Sequence, residues 1–142
     1  MTTLGLHHIA LTVGDFAVSI PWYEAVFGLR YQMEAPHEGG VGKLLADDDW
    51  NLVIVLHVHE GSQGERFDER RTGLDHVGIS TADRAALDAF SDHLVSVGGV
   101  RKVPVADRPL TQSPVAETPY GDILVFRDPD NIQLEAFAPP ST

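Results

Sequence analysis

The sequence predicts an α+β fold of two tandem modules, each ordered strand–helix–strand–strand–strand. Three observations predict it. The segment His8-Ile-Ala-Leu-Thr-Val recurs as His76-Val-Gly-Ile-Ser-Thr. Each copy runs into an aspartate and then a stripe of apolar residues at helical spacing. Each helix is followed by short apolar runs with turn signals between them. The modules span residues 1–60 and 74–142, with a linker at 61–73, and together make one domain.

The first strand of each module alternates. Ile9, Leu11 and Val13 form one apolar face, matched by Val77, Ile79 and Thr81, so one side of each strand is expected to pack on a helix. Asp15 and Asp83 stand where a helix N-cap is needed. Phe16, Ile20, Tyr23 and Phe27 give the first helical stripe; Leu87, Phe90, Leu94 and Val97 give the second. Gly28 and Gly98-Gly99 are the expected left-handed stops. Pro21 is expected to kink the first helix or delay its start.

Three strands then follow in each module. The first set is Leu29–Glu34, Gly42–Ala46 and Leu52–His59; the second is Val100–Val105, Asp122–Arg127 and Ile132–Phe137. Asp47–Asn51 and Asp128–Asn131 are the corresponding hairpin turns. The three aspartates of the first turn lack the downstream glycine and glutamate of a calcium loop. The polar segment from Glu60 to Gly73 is the linker. The proline-rich stretch from Val103 to Tyr120 is long enough for a lid or binding segment.

The 142-residue chain is 43% hydrophobic and 22% charged, the balance of a soluble globular domain. Its net charge of −11 argues against nucleic acid and anionic membranes as partners. No apolar run is long enough to span a bilayer, and the N-terminus does not read as a signal peptide. The absence of cysteine excludes disulfides, thiolate metal sites and a cysteine nucleophile, and fits a cytoplasmic protein.

Glu135 is the residue out of place, a carboxylate inside the apolar run Ile132–Phe137. Two histidines at equivalent places in the repeat, His8 and His76, offer it company. Two imidazoles and a carboxylate make a candidate metal site. Alternation puts His7 on the face of Ile9 and His8 on the opposite face with Ala10 and Thr12. His76 shares its face with Gly78 and Ser80, small residues that leave room around a ligand. His37 and His93 read as surface residues.

These motifs, with Trp22-Tyr23, Phe27-Gly28-Leu29, Leu74-Asp75-His76-Val77 and Phe126-Arg-Asp-Pro-Asp-Asn-Ile-Gln-Leu-Glu135, resemble the vicinal oxygen chelate superfamily. That group contains glyoxalase I, methylmalonyl-CoA epimerase, extradiol dioxygenases and bleomycin-resistance proteins. The resemblance implies paired modules forming a curled mixed sheet around a cavity, commonly completed across a homodimer. It also implies a metal held by His8, His76 and Glu135. A fourth ligand, in glyoxalase-like members, comes from the last strand of the first module. Aligning Asn51 with Asn131 puts Val55 at that place, which argues against glyoxalase I activity. His57, two residues further on, becomes a fourth ligand only if the strand slips or bulges; His59 lies nearer the strand end.

The leading expectation is a small metal-dependent enzyme, of lyase/isomerase or dioxygenase type, that binds two neighbouring oxygens of a small organic substrate. Nitrogen and oxygen ligands leave Fe, Mn, Ni, Co and Zn all open. The alternative is a metal-free protein that sequesters a drug or natural product. Trp50, Tyr120 and Phe126 are the candidate ligand-contacting aromatics in either case.

Overall fold

A computed structural model of the chain describes residues 2–97 and 113–141. Its contacts divide into two units, Met1–Gly64 and Glu65–Thr142. The described residues form two four-stranded sheets and two helices, an α+β architecture built from the repeat.

In the first unit β1 (Ile9–Thr12) leads to α1 (Phe16–Phe27), then β2 (Arg30–His37), β3 (Gly40–Ala46) and β4 (Val53–His59). The sheet order is β1-β4-β3-β2, with β1 parallel to β4 and the other pairs antiparallel. The Asp15 side chain caps α1 by accepting from the Ala17 N–H at 2.8 Å, which satisfies a donor the helix cannot pair internally. Gly28 ends the helix at φ 66°, the left-handed conformation that glycine adopts without a Cβ clash. Leu11 and Val13 are buried, as the alternation predicts, with Leu45, Ile54 and Leu56. Each such side chain contributes about 1.5–3 kcal/mol by leaving water.

Two details of α1 depart from expectation. The buried face consists of Ser19, Trp22, Tyr23 and Val26, so the stripe is rotated towards Trp22, and Phe16, Ile20 and Phe27 lie at its margin. The helix also runs unbroken from Phe16 through Pro21. Pro21 removes a hydrogen bond only to the carbonyl of Ala17, in the exposed first turn, where the loss is cheapest.

The second unit repeats the plan with β5 (Val77–Ser80), α2 (Arg84–Val97), β6 (Ala116–Thr118), β7 (Gly121–Arg127) and β8 (Gln133–Ala138). Its order is β5-β8-β7-β6, with β5 parallel to β8. Asp83 caps α2 through the Ala86 N–H at 2.8 Å. Leu87 and Leu94 are buried with Leu124, Phe126, Leu134 and Ala136. Arg84 ties the start of α2 to the sheet through Asp122 at 3.2 Å, and also holds Asp88 at 2.9 Å. The expected strand Val100–Val105, the expected stop at Gly98-Gly99 and residues 103–112 of the proline-rich stretch lie outside the described residues. The remainder of that stretch contains β6.

Of the expected linker 61–73, the part from Glu65 onward belongs to the second unit and makes specific contacts within it. Phe67 N–H donates to the Asp130 carbonyl at 3.0 Å, and its own carbonyl accepts from Asn131 Nδ2 at 3.0 Å. The turn before β8 is built around buried Asp128, whose Oδ1 accepts from the N–H groups of Ile132 (2.7 Å) and Asp130 (2.9 Å). In the first unit Asp47 does similar work for Leu52 N–H at 3.0 Å.

Candidate functional site

Register fixes which residues of the two units correspond. On the parallel strand pairs Ala10 faces Val55 and Gly78 faces Glu135; two residues further on, Thr12 faces His57 and Ser80 faces Phe137. Val55 is thus the counterpart of Glu135, without the slip that would move His57 into its place.

In the second unit His76 and Glu135 come together. Glu135 lies on the face of β8 turned away from buried Leu134, Ala136 and Ala138, and only 18% of its side chain is exposed. His76 immediately precedes β5, and its Nε2 stands 3.8 Å from Glu135 Oε2. The other ring nitrogen, Nδ1, lies 2.6 Å from Asp75 Oδ1. A carboxylate only accepts, so Nδ1 carries the hydrogen, and in the neutral ring Nε2 presents its lone pair towards Glu135.

Asp75 is itself held. Gln133 Nε2 donates to its Oδ1 at 3.1 Å, while Gln133 Oε1 accepts from Arg127 Nη2 at 2.8 Å. Arg127 closes the chain on Glu69, with Nη2 to Oε1 at 2.8 Å and Nη1 to Oε2 at 3.0 Å. That pairing lowers the Glu69 pKa from 4.5 to about 2, chiefly through the hydrogen bonds from Arg127. The run Glu69–Arg127–Gln133–Asp75–His76 therefore orients the imidazole from behind. Carboxylate–histidine pairs of this kind commonly orient metal ligands.

The pair fits a divalent ion. Ligands bound at about 2.0–2.2 Å to one ion can lie no more than about 4.4 Å apart, and 3.8 Å falls inside that limit. His8 belongs to the first unit. It was expected to point away from His7, yet their Nδ1 atoms are 2.8 Å apart and their rings meet edge-on. The physical reason is that β1 begins only at Ile9, so strand alternation does not extend back to either histidine.

A second cluster was not anticipated. His37, expected as a surface loop residue, ends β2 and meets His57 and His59 of β4, with ligand nitrogens of all three within 4.8 Å of one another. His37 Nε2 lies 3.0 Å from His57 Nδ1. Burial, then repulsion by His37, His59 and His8, pushes the His57 pKa below its ordinary 6.5.

Of the aromatics nominated for ligand contact, Phe126 is corrected. It is fully buried and packs edge-on against Phe90 of α2, ring centroids 5.5 Å apart. Its register partner is Leu134, one step off Glu135, so the pleat sends it to the helix side. Tyr120 is exposed and stacks on Phe137 with centroids 6.4 Å apart. Trp50 is partly exposed on the first hairpin turn at φ 57°.

Residues 5–136 match the sequence profile of the Glyoxalase/Bleomycin resistance protein/Dioxygenase superfamily, and the chain belongs to that family. A glyoxylase/bleomycin resistance protein/dioxygenase domain from Frankia sp. EAN1pec is 31% identical over 98% of this chain and 100% of its own, with a TM-score of 0.82. The fosfomycin resistance protein FosX from Listeria monocytogenes, in complex with Mn(II) and sulfate, is 16% identical, with a TM-score of 0.63 and coverage of 98% and 95%. TnmS3, an antibiotic binding protein from Streptomyces sp. CB03234, is 18% identical, with a TM-score of 0.69 and coverage of 99% of each chain. At those identities FosX and TnmS3 share the fold with this chain. No curated protein matches it. Among the described residues no helix is long and apolar enough to cross a membrane.

Proposed function

We propose that the chain is a divalent-metal-dependent enzyme of its family, with His76, Glu135 and His8 as ligands and a small organic substrate bound through two neighbouring oxygens. The observation that carries this reading is the orientation of His76, held by Asp75 so that its free nitrogen faces Glu135 at 3.8 Å. An ion so held would act as a Lewis acid towards the substrate oxygens. The Mn(II) found with FosX supports the reading by fold analogy.

The chain's own groups divide the remaining work. Asp75 keeps the hydrogen on Nδ1, Gln133 and Arg127 keep Asp75 in place, and Gly78 leaves space beside Glu135, since a Cβ there would meet nothing within 4 Å. Val55 contributes no donor at the place of a fourth ligand, which favours three protein ligands and an open face of lyase/isomerase or dioxygenase type. Metal analysis of protein purified without chelators should find a divalent ion. Isothermal titration with Mn(II) should give binding that His76→Ala and Glu135→Gln each abolish. Unchanged binding in both variants would remove the reading.

The second reading, sequestration of a natural product without metal, is favoured by the exposed Tyr120 ring stacked on Phe137. Retention of a bound organic molecule by metal-stripped protein would support it. We also propose a homodimer that completes the cavity; a sedimentation mass near the 15.5 kDa of one chain would overturn that.

A further inference from the structure

We propose that His37, His57 and His59 form a second metal site, separate from His76 and Glu135, that takes a borderline divalent ion of the Zn(II), Ni(II) or Cu(II) class. The argument begins with β3. Its Gly40 pairs with His37 on one side and His59 on the other, and its Gly42 pairs with His57. Directly paired residues point to the same face of a sheet, so three imidazoles and two glycines share one surface.

Strands two apart are separated by about 9.5 Å, yet the His37 and His59 ring centroids are 5.2 Å apart and those of His37 and His57 5.1 Å. The rings close over β3 because nothing stands on it. A Cβ on Gly42 would lie 2.7 Å from His57 Cε1, and one on Gly40 would lie 2.5 Å from the Val58 carbonyl oxygen and 2.8 Å from His37 Cε1. Any other residue at Gly42 would have to displace the His57 ring, and one at Gly40 both the His37 ring and the Val58 carbonyl.

The protonation pattern suits ligation. His37 Nδ1 lies 3.0 Å from the Glu38 carbonyl, which only accepts, so that nitrogen carries the hydrogen and His37 Nε2 is the lone-pair donor. Backbone carbonyls commonly set metal-binding histidines in this way. His57 Nδ1 then donates to His37 Nε2, a bond that an ion would replace. Tetrahedral ligands at about 2.0–2.1 Å lie roughly 3.3 Å from one another. The cluster needs only side-chain rotation to close from within 4.8 Å, and His37 and His59 are exposed and able to turn. An all-imidazole set favours Zn(II), Ni(II) or Cu(II) over Mg(II), Ca(II) or Mn(II), which prefer oxygen. Three ligands leave at least one coordination position open.

The test is titration of the full, tag-free chain with Zn(II) by calorimetry, in parallel with a His37→Gln/His59→Gln variant and a His76→Ala/Glu135→Gln variant. Far-UV circular dichroism checks the fold of each, and the single His37→Gln variant serves if the double fails to fold. The expected result is one equivalent of Zn(II) retained by the His76→Ala/Glu135→Gln protein and lost from the His37→Gln/His59→Gln protein, with His37→Gln alone weakening it at least about ten-fold. Cu(II) bound to the His76→Ala/Glu135→Gln protein should show nitrogen splittings in its electron paramagnetic resonance spectrum. Zn(II) binding unchanged by loss of His37 and His59 would overturn the proposal, as would complete loss on removing His76 and Glu135. If only the equivalent owed to His37, His57 and His59 is found, this site stands and the enzyme reading fails.

Discussion

In the first unit β4 carries Val55 and His57, where β8 of the second carries Glu135 and Phe137. The strands run in the same register beside β1 and β5, so a shared scaffold presents opposite chemistry at each step. Where one unit has an aliphatic group the other has a carboxylate, and where one has an imidazole the other has a phenyl ring. The glycine that pairs with His57, Gly42, has Ile123 as its counterpart beside Phe137, whereas Gly40 and Gly121 match: a Cβ on either would come 2.5 Å from a carbonyl oxygen, that of Val58 or Ala138. The difference teaches that one register serves both units while the donor atoms above it differ.

The cores offer the largest test of that comparison. Trp22 of α1 is buried, whereas Phe90, at the same place of the repeat on α2, is only half-buried. Trp22→Ala should cost about 3–5 kcal/mol by urea denaturation and Phe90→Ala distinctly less. Equal losses would mean that the two helices anchor their sheets alike.

The glycines come next. Gly121 sits at φ 147°, and a Cβ there would come 2.5 Å from the Ala138 carbonyl oxygen as well as the Phe137 ring. Gly121→Ala should cost about 2–3 kcal/mol, because backbone cannot step aside. Gly42→Ala should cost about 1 kcal/mol, since the His57 ring can rotate away. The reverse order in thermal melts would sink the idea that backbone blocks a side chain at Gly121 while only a movable ring does so at Gly42.

The turns should differ in the same sense. Asp128 is buried and accepts two backbone N–H groups, so Asp128→Ala should cost about 2 kcal/mol; Asp47→Ala should cost about 1. Behind His76, Gln133→Ala should weaken Mn(II) binding about ten-fold without changing the melting temperature, a split that a purely structural role would not produce.

The smallest effect concerns acid. Glu69 has a folded-state pKa of about 2 against 4.5, so its contribution to stability is fully present above pH 4.5 and is lost as pH falls through about 2. Acid unfolding of Glu69→Gln, followed by circular dichroism, should be flatter than wild type across that window. Parallel curves would show that the Arg127 pairing does not depend on the charge.

The repeat was legible because a strand's period and a helix's caps are local. His8 and His76, Asp15 and Asp83, and the hairpin turns could be matched by eye, and the Val55–Glu135 correspondence needed only an unslipped register. What could not be read was reach across a sheet. His37 looked like a loop residue because it sits beside Gly39-Gly40, and its partners are two strands away. The glycines at 40 and 42, alternating on one strand face, were the signal available for that cluster. Phe126 differs for a simpler reason: it pairs with Leu134, one residue off Glu135, so the pleat turns it to the helix side. Asp75 and Gln133 flank the two candidate ligands in sequence, but only the structure joins them through one carboxylate oxygen.

The outermost strand of the first sheet has one more consequence. β2 is exposed along its whole length, breaks register between Tyr31 and Met33, and carries Pro36 near its end with Arg30 and Glu34 along it. An irregular ladder, a missing donor and charged side chains are the features that stop a sheet from recruiting further strands. A chain approaching this border meets a poor template. The sheet is thereby finished at β2, and the first unit is guarded against fibrous growth without an added covering element.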